Sequence, residues 1–380
     1  MWYASVYTGT LRTCQRRVEM GYAERKKIIE SIQTARGSKV ISHVTADRQT
    51  RIAIAGMGTQ LSSEPQLLIY DQLRRIGKVR KIDLFLYTRG GETDAVMPMV
   101  NAIREFCDVF AVLVPFRAHS GGTLISLGAD EIVMGPFAEL SPIDPTTGNQ
   151  FSPTDELNPK ARKGISVEDV IAYMTLAKDK GKVGIVEEKN TLEVFKTLSQ
   201  AVHPLALGNV NRVHNHIRLL ANSLLSLGKD HKLDDKKTSE IVDTLTEKLY
   251  SHTHAIGRKE AQKLMGPAIV KFPSEEEERL MWDLFEEYAR AMNLRQRFNI
   301  KEYMGDTLRR EITVTGAFLE SEDMSHVFQC TSAITQRSEL PPNFQVQVQV
   351  GQPIPLMPGF PTQFGVELIG EVWKLNEGGV

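Results

Sequence analysis

The chain has 380 residues, 41% hydrophobic and 24% charged, proportions that support a packed core and exclude both a disordered polymer and a disulfide-stapled miniprotein. Its 46 Lys and Arg against 47 Asp and Glu leave a net charge of -1, so no overall field draws it to nucleic acid or to anionic membrane. At roughly 100 to 200 residues per domain, one large domain or two smaller ones are expected.

Residues 17–36 place Met20, Ile28, Ile29 and Ile32 near helical spacing, with Gly37 as a stop, and a helix is expected there. From Lys39 to Leu140, short apolar runs (VISHV, RIAIAG, DLFLYT, VFAVLV, EIVMG) alternate with helix-like stretches (PQLLIYDQLRRIG, AVMPMVNAIREF, GGTLISLGA). Such alternation predicts a parallel sheet covered by helices. Residues 141–164 concentrate Pro, Gly, Ser, Thr and Asp and read as one long loop, a length that in a compact domain is usually functional. Helical patterns return in SVEDVIAYMTLAKDKG, TLEVFKTLSQAV, NVNRVHNHIRLLANSLLSLG and SEIVDTLTEKLY. SEEEERLMWDLFEEYARAMNL is an amphipathic helix whose run Glu275 to Glu278 suits a helix N-terminus. Beyond Glu311 the period becomes two, as in Val346, Val348 and Val350, and predicts a small antiparallel β element. The organisation expected is an N-terminal helical extension over 1–38, a core over 39–270, and a C-terminal helix with an antiparallel β element over 271–380.

The chemistry concentrates between Ile82 and Asp144. Two predicted strand ends, at Thr88-Arg89-Gly90-Gly91 and at Ala118-His119-Ser120-Gly121-Gly122, each deliver a glycine pair. In a parallel sheet both would emerge at the carboxyl edge, where open α/β folds place ligands. Gly90 and Gly91 lack side chains, so their amides can approach a carbonyl oxygen, while Ser120 sits where a strand turns into a helix. That is an acyl-transfer layout: a serine nucleophile with oxyanion donors from the neighbouring loop. The bland alternative is Ser120 as an ordinary helix N-cap.

These motifs, YTRGGETD, AHSGGTLISLGADEIVMGP and LSPIDP, resemble the Clp/crotonase superfamily, with signal peptide peptidase A and Clp protease as relatives, and within it they resemble the serine dehydrogenase proteinase family. Ser251 to Gly266 resembles the superfamily's closing strand and helix. The resemblance implies an α/β Clp/crotonase-like ββα spiral core and an ATP-independent serine peptidase that assembles into homo-oligomers and takes peptide or unfolded protein substrates. Carried over by position, Ser120 matches the nucleophile, and the Gly90 or Gly91 amide with the Gly121 amide matches the oxyanion hole. No His occupies Leu140 to Asp144, where a Clp-type base would stand, whereas Lys163 occupies a place similar to the lysine base of signal peptide peptidases, with Lys160 as fallback. Such a lysine needs burial or a cationic neighbour to bring its pKa toward neutrality.

His119 is expected to pack or to contact substrate, and Asp144 to cap its turn or to orient substrate or base. His214 and His216, two apart on a helix, do not share a face, so no metal site is expected; His252 and His254 read as packed or exposed histidines. The chain has neither GxGxxG nor GxxxxGK[ST], and no cofactor is expected. Three separated cysteines, Cys14, Cys107 and Cys330, fit a reducing compartment. With no secretory pattern at the N-terminus and no apolar run of about 18 residues, a cytoplasmic protein without a transmembrane segment is expected. Three rival readings are a non-catalytic oligomeric scaffold on the same fold, acyl-CoA hydratase or isomerase chemistry, which relies on paired amides and Glu or Asp side chains rather than Ser, and an α/β-hydrolase elbow. The elbow lacks its first glycine here.

Overall fold

The computed structural model describes residues 11–143, 146–154, 162–185, 187–229, 233–249, 251, 254–341 and 356–376. The apolar runs form β1 (Lys39–Thr45), β2 (Val79–Tyr87), β3 (Cys107–Val114), β4 (Glu131–Met134) and β5 (Val270–Lys271), all parallel. β2 is buried from Ile82 to Tyr87 and β3 from Phe110 to Val114. Burial on both faces explains why these strands read as continuous apolar runs without alternation. β6 (Arg309–Glu320), β7 (Ser325–Ser338) and β8 (Thr362–Leu375) continue the sheet antiparallel beyond β1, in the order β5-β4-β3-β2-β1-β6-β7-β8. A second ladder joins Arg117–Ala118, Glu139–Leu140 and Ile256–Gly257 at the carboxyl edge.

The helices are α1 (Leu11–Arg36), α2 (Gln66–Ile76), α3 (Val96–Arg104), α4 (Gly121–Leu127), α5 (Val167–Lys178), α6 (Glu188–Ala201), α7 (Pro204–Leu225), α8 (Asp235–Asp243), α9 (Arg258–Met265), α10 (Glu275–Ala291) and α11 (Ile300–Met304). α2, α3, α4, α7 and α9 bury Leu73, Val100, Leu124, Leu224 and Ala261 on one face of the sheet. On the other face, Ile29 and Ile32 of α1 meet Leu280, Leu284 and Tyr288 of α10 over Phe85, Leu113 and Phe318. α10 starts at a capping box in which Ser274 and Glu277 satisfy each other's backbone N–H. Gly37, at φ 59°, ends α1 as expected. This layered parallel sheet with its edge ladder is the Clp/crotonase-like core that the sequence implied. No helix among the described residues is long and apolar enough to cross a membrane.

One apolar run is not a strand. RIAIAG lies in a turn region, where Ile54 and Met57 pack with Phe298, Met304 and Val314 in a separate small cluster. Its natural ladder position is filled, because β1 already pairs with β2 on one edge and β6 on the other.

Buried charge fastens α1 to the sheet. Arg25, fully buried, makes two 2.8 Å hydrogen bonds to the Glu320 carboxylate, which also accepts from Tyr288 Oη at 2.8 Å and Ser325 Oγ at 2.6 Å. The guanidinium lies over Phe318, 4.6 Å from the ring centroid. Arg36 at the end of α1 pairs with buried Asp83 of β2 and with Glu277 of α10.

Candidate active site

The two glycine-bearing strand ends meet. Thr88 N donates to Arg117 O at 2.9 Å and His119 N to Thr88 O at 3.1 Å, a parallel bridge that extends β2 alongside the chain leaving β3. Gly90 is thereby set against Ser120: a Cβ built on Gly90 would fall 2.7 Å from Ser120 Cβ and 2.9 Å from His119 O. On its far side the turn is fixed by Leu61, whose N–H donates to Gly90 O at 2.8 Å and whose carbonyl accepts from Glu92 N at 2.9 Å. A Cβ on Gly91 would lie 2.1 Å from Leu61 O, so only glycine fits.

Ser120 itself is held at φ 49°, ψ −110°, a conformation that costs a non-glycine residue of order 1–3 kcal/mol. Three contacts hold it there. Its N–H donates to Ser141 Oγ at 2.7 Å, its carbonyl accepts from Leu124 N at 3.0 Å, and Gly122 N donates to His119 O at 2.8 Å. Ser141 is in turn clamped by Thr123, whose Oγ1 accepts from Ser141 N at 3.0 Å. The Ser120 hydroxyl makes no capping hydrogen bond, and Oγ has no partner among the described residues. The bland N-cap role therefore does not account for this serine.

An inventory of amides separates the glycines. Gly90 N is spent on Thr88 Oγ1 at 3.0 Å, whereas the N–H groups of Gly91 and Gly121 have no acceptor among the described residues. They are close together, since a Cβ on Gly121 would lie 3.5 Å from Gly91 N. Two free donors beside one uncommitted hydroxyl can receive a carbonyl oxygen while its carbon faces the serine.

The ionisable neighbours are arranged differently from the donors. His119 Nε2 lies 3.2 Å from Glu139 Oε1, without hydrogen-bond alignment. Burial pushes its pKa down to about 4, with Glu139 opposing and Arg117 and Arg89 assisting, so the imidazole is neutral at pH 7. Lys163 is exposed; its backbone N–H donates to Pro153 O at 2.7 Å, and its ammonium forms no ion pair with a described residue. Lys160, Asp144 and His252 lie outside the described residues. His214 and His216 go to separate carboxylates, Glu247 at 3.3 Å and Asp94 at 3.2 Å, and His254 sits 3.0 Å from Glu260. Sequence reasoning missed Leu61, Thr88, Thr123 and Ser141, which shape the site. Thr88, Thr123 and Ser141 stood inside motifs already singled out, YTRGGETD, AHSGGTLISLGADEIVMGP and LSPIDP, whereas Leu61 did not.

Comparison with known proteins adds a family. Residues 9–192 match the family described as ClpP-like SDH-type serine proteinase. The uncharacterized protein MJ0137 of Methanocaldococcus jannaschii is 28% identical over 290 residues, which cover 76% of this chain and 85% of that protein. The uncharacterized protein MJ1495 of the same organism is 32% identical over 148 residues, 38% of this chain and 50% of that one. Among solved structures, two mutant forms of the 1510-N membrane-bound stomatin-specific protease align with TM-scores of 0.23. One is 22% identical over 32% of this chain and 60% of its own. The other, in complex with a substrate peptide, is 16% identical over 60% and 94% respectively.

Proposed function

Because the segment from residue 9 to 192 belongs to the ClpP-like SDH-type serine proteinases, we propose that this protein is an ATP-independent serine peptidase with Ser120 as its nucleophile. The observation that supports the reading is the close approach of the Gly90-Gly91 turn to Ser120 and Gly121, where the Ser120 hydroxyl and the Gly91 and Gly121 amides have no partner among the described residues. Ser120 Oγ would attack a peptide carbonyl, the two N–H groups would take the oxyanion, and water would release the acyl group. Each such donor is worth roughly 100- to 1,000-fold in rate. The base is assigned to a lysine of the loop after Ser141, Lys163 first and Lys160 second. Since Lys163 is exposed, that role requires its segment to pack against bound substrate, where desolvation lowers an ammonium pKa. His119 and Asp144 are assigned to substrate contact or to support of the base. The substrate is a peptide or an unfolded chain, and assembly into homo-oligomers goes with the reading. The free thiols Cys107 and Cys330 fit a cytoplasmic location.

Among the described residues no ionisable side chain bonds Ser120 Oγ, which favours one rival, a non-catalytic scaffold on the same fold. A fluorophosphonate separates the two. A single adduct on Ser120, lost in Ser120→Ala and slowed in Lys163→Ala or Lys160→Ala, supports the peptidase. An unlabelled but folded protein supports the scaffold.

A further inference from the structure

A cavity of about 700 Å3 lies between the carboxyl ends of β2, β3 and β4 and the helix α10. Its walls are aromatic. Phe137 stacks on Phe116 with centroids 4.9 Å apart, Phe116 meets Phe285 edge-on at 5.8 Å, and Phe285 contacts Trp282 at 5.2 Å. Phe137 is 64% exposed, so the outermost ring of this ladder has no cover.

The lining is also cationic. Arg89, Arg117, Arg295 and Arg297 stand on it against Asp47 and Glu278. Arg117 and Arg89 share Asp47 at 3.0 and 3.2 Å, Arg117 also bonds Glu139, and Arg295 pairs with Glu286. Arg297 is exposed and has no ion-pair partner among the described residues, which leaves one guanidinium open to an anion. Aromatic walls with a few placed charges select an apolar group that carries a carboxylate.

Two of the lining residues stand close along the chain to the candidate acyl-transfer groups. Arg89 immediately precedes Gly90, and Arg117 stands three residues before Ser120, at most about 11 Å along an extended chain. We propose that the cavity receives the carboxyl-terminal residues of a polypeptide substrate, with apolar side chains among Phe116, Phe137, Phe285 and Trp282 and the terminal carboxylate at Arg297. This rests on the peptidase reading and narrows its substrate class to chains with apolar ends. The carbonyl a few residues upstream then reaches Ser120; its acyl group bonds to Oγ, the C–N bond breaks, and the terminal fragment leaves as an amine bearing the proton lost by the serine. A free fatty acid would satisfy the same rings and charge. A polypeptide is favoured because the rim is built by the two strand ends that carry the acyl-transfer groups.

The test uses the full chain carrying Ser120→Ala and a fluorescein-labelled heptapeptide ending in leucine and phenylalanine, as free acid and as carboxyl-terminal amide, read by anisotropy. The acid is expected to bind about tenfold or more tightly than the amide, the usual worth of a charged hydrogen bond. Adding Arg297→Gln should bring the acid down to the amide, Arg297→Lys should recover part of the difference, and Phe137→Asp should weaken both. Equal affinity for acid and amide, no binding of either, or displacement by decanoate at the peptide's own Kd would overturn the proposal. Fluorophosphonate labelling of the unmodified protein reads the peptidase assignment separately. Labelling without discrimination sinks the cavity assignment alone, whereas discrimination without labelling upholds a carboxylate-binding cavity and removes the hydrolase.

Discussion

The Ser120 backbone N–H is held by Ser141 Oγ across 2.7 Å, so the residue that offers a free hydroxyl is anchored through its amide. That bond opposes the strain of a positive φ and fixes the backbone that carries the hydroxyl. Ser141→Ala leaves a donor without its acceptor, a loss of about 1–3 kcal/mol. We expect at least a tenfold slower fluorophosphonate reaction at Ser120, with Ser141→Thr largely restoring it. A positioning role is ruled out if Ser141→Ala lowers the urea midpoint and leaves the labelling rate intact.

Substitutions at glycine should sort by what a methyl group meets. Gly91→Ala drives Cβ into the Leu61 carbonyl, backbone against backbone, and Gly90→Ala drives it into Ser120 and His119. Both should abolish labelling. Gly208→Ala, inside α7 with nothing within 4 Å, should instead raise stability by about 0.5–1 kcal/mol. Comparable thermal shifts for all three would contradict the close approach on which the site depends.

Acid should weaken the fold through His43 of β1. The side chain is 2% exposed, its Nδ1 has no partner among the described residues, and burial pushes its pKa from 6.5 down to about 4. Above pH 6.5 the imidazole is neutral in both states. Between 6.5 and 4 the unfolded chain takes a proton that the folded one refuses, so stability falls on acidification by about 3 kcal/mol. His119 shifts in the same direction. Urea midpoints at pH 7.5, 5.5 and 4.5 should decline in the parent and decline less in His43→Leu; parallel declines would exclude His43 as the cause.

Removing charge from the Arg25 partner should be costly. Glu320→Gln leaves a buried guanidinium uncompensated, and losses of about 3–5 kcal/mol are typical of such breaks. Calorimetry should register a fall in Tm well beyond that of Glu367→Gln, whose Arg309 partner is 3.8 Å away at an exposed site.

The parallel half of the sheet was legible because each strand is sealed on both faces, and VISHV, DLFLYT, VFAVLV and EIVMG announce that by unbroken apolar runs. RIAIAG carries the same local signal and was misread, since the competitor for its place, β6, comes from far along the chain. Ser120 and the glycine pairs were legible because tight turns restrict which residues fit. Leu61 acts through backbone hydrogen bonds that any residue could make, and Ser141 and Thr88 act through hydroxyls that accept from a backbone amide, a use of Ser or Thr that the residue type alone does not announce. Sequence also held no sign that Gly90 N is consumed by Thr88 Oγ1 while Gly91 N has no acceptor among the described residues. Nor could it tell that Lys163 stands in solvent.

β6 lies antiparallel against β1, with Ser42 opposite Glu320, and Arg25 closes over the same junction. A fragment ending near residue 270 would therefore strip one whole margin of β1 of its partners and orphan the guanidinium of α1. Such an exposed strand recruits another chain. Truncation there should yield aggregates, and the last hundred residues are expected to melt together with residues 39–270 as one transition.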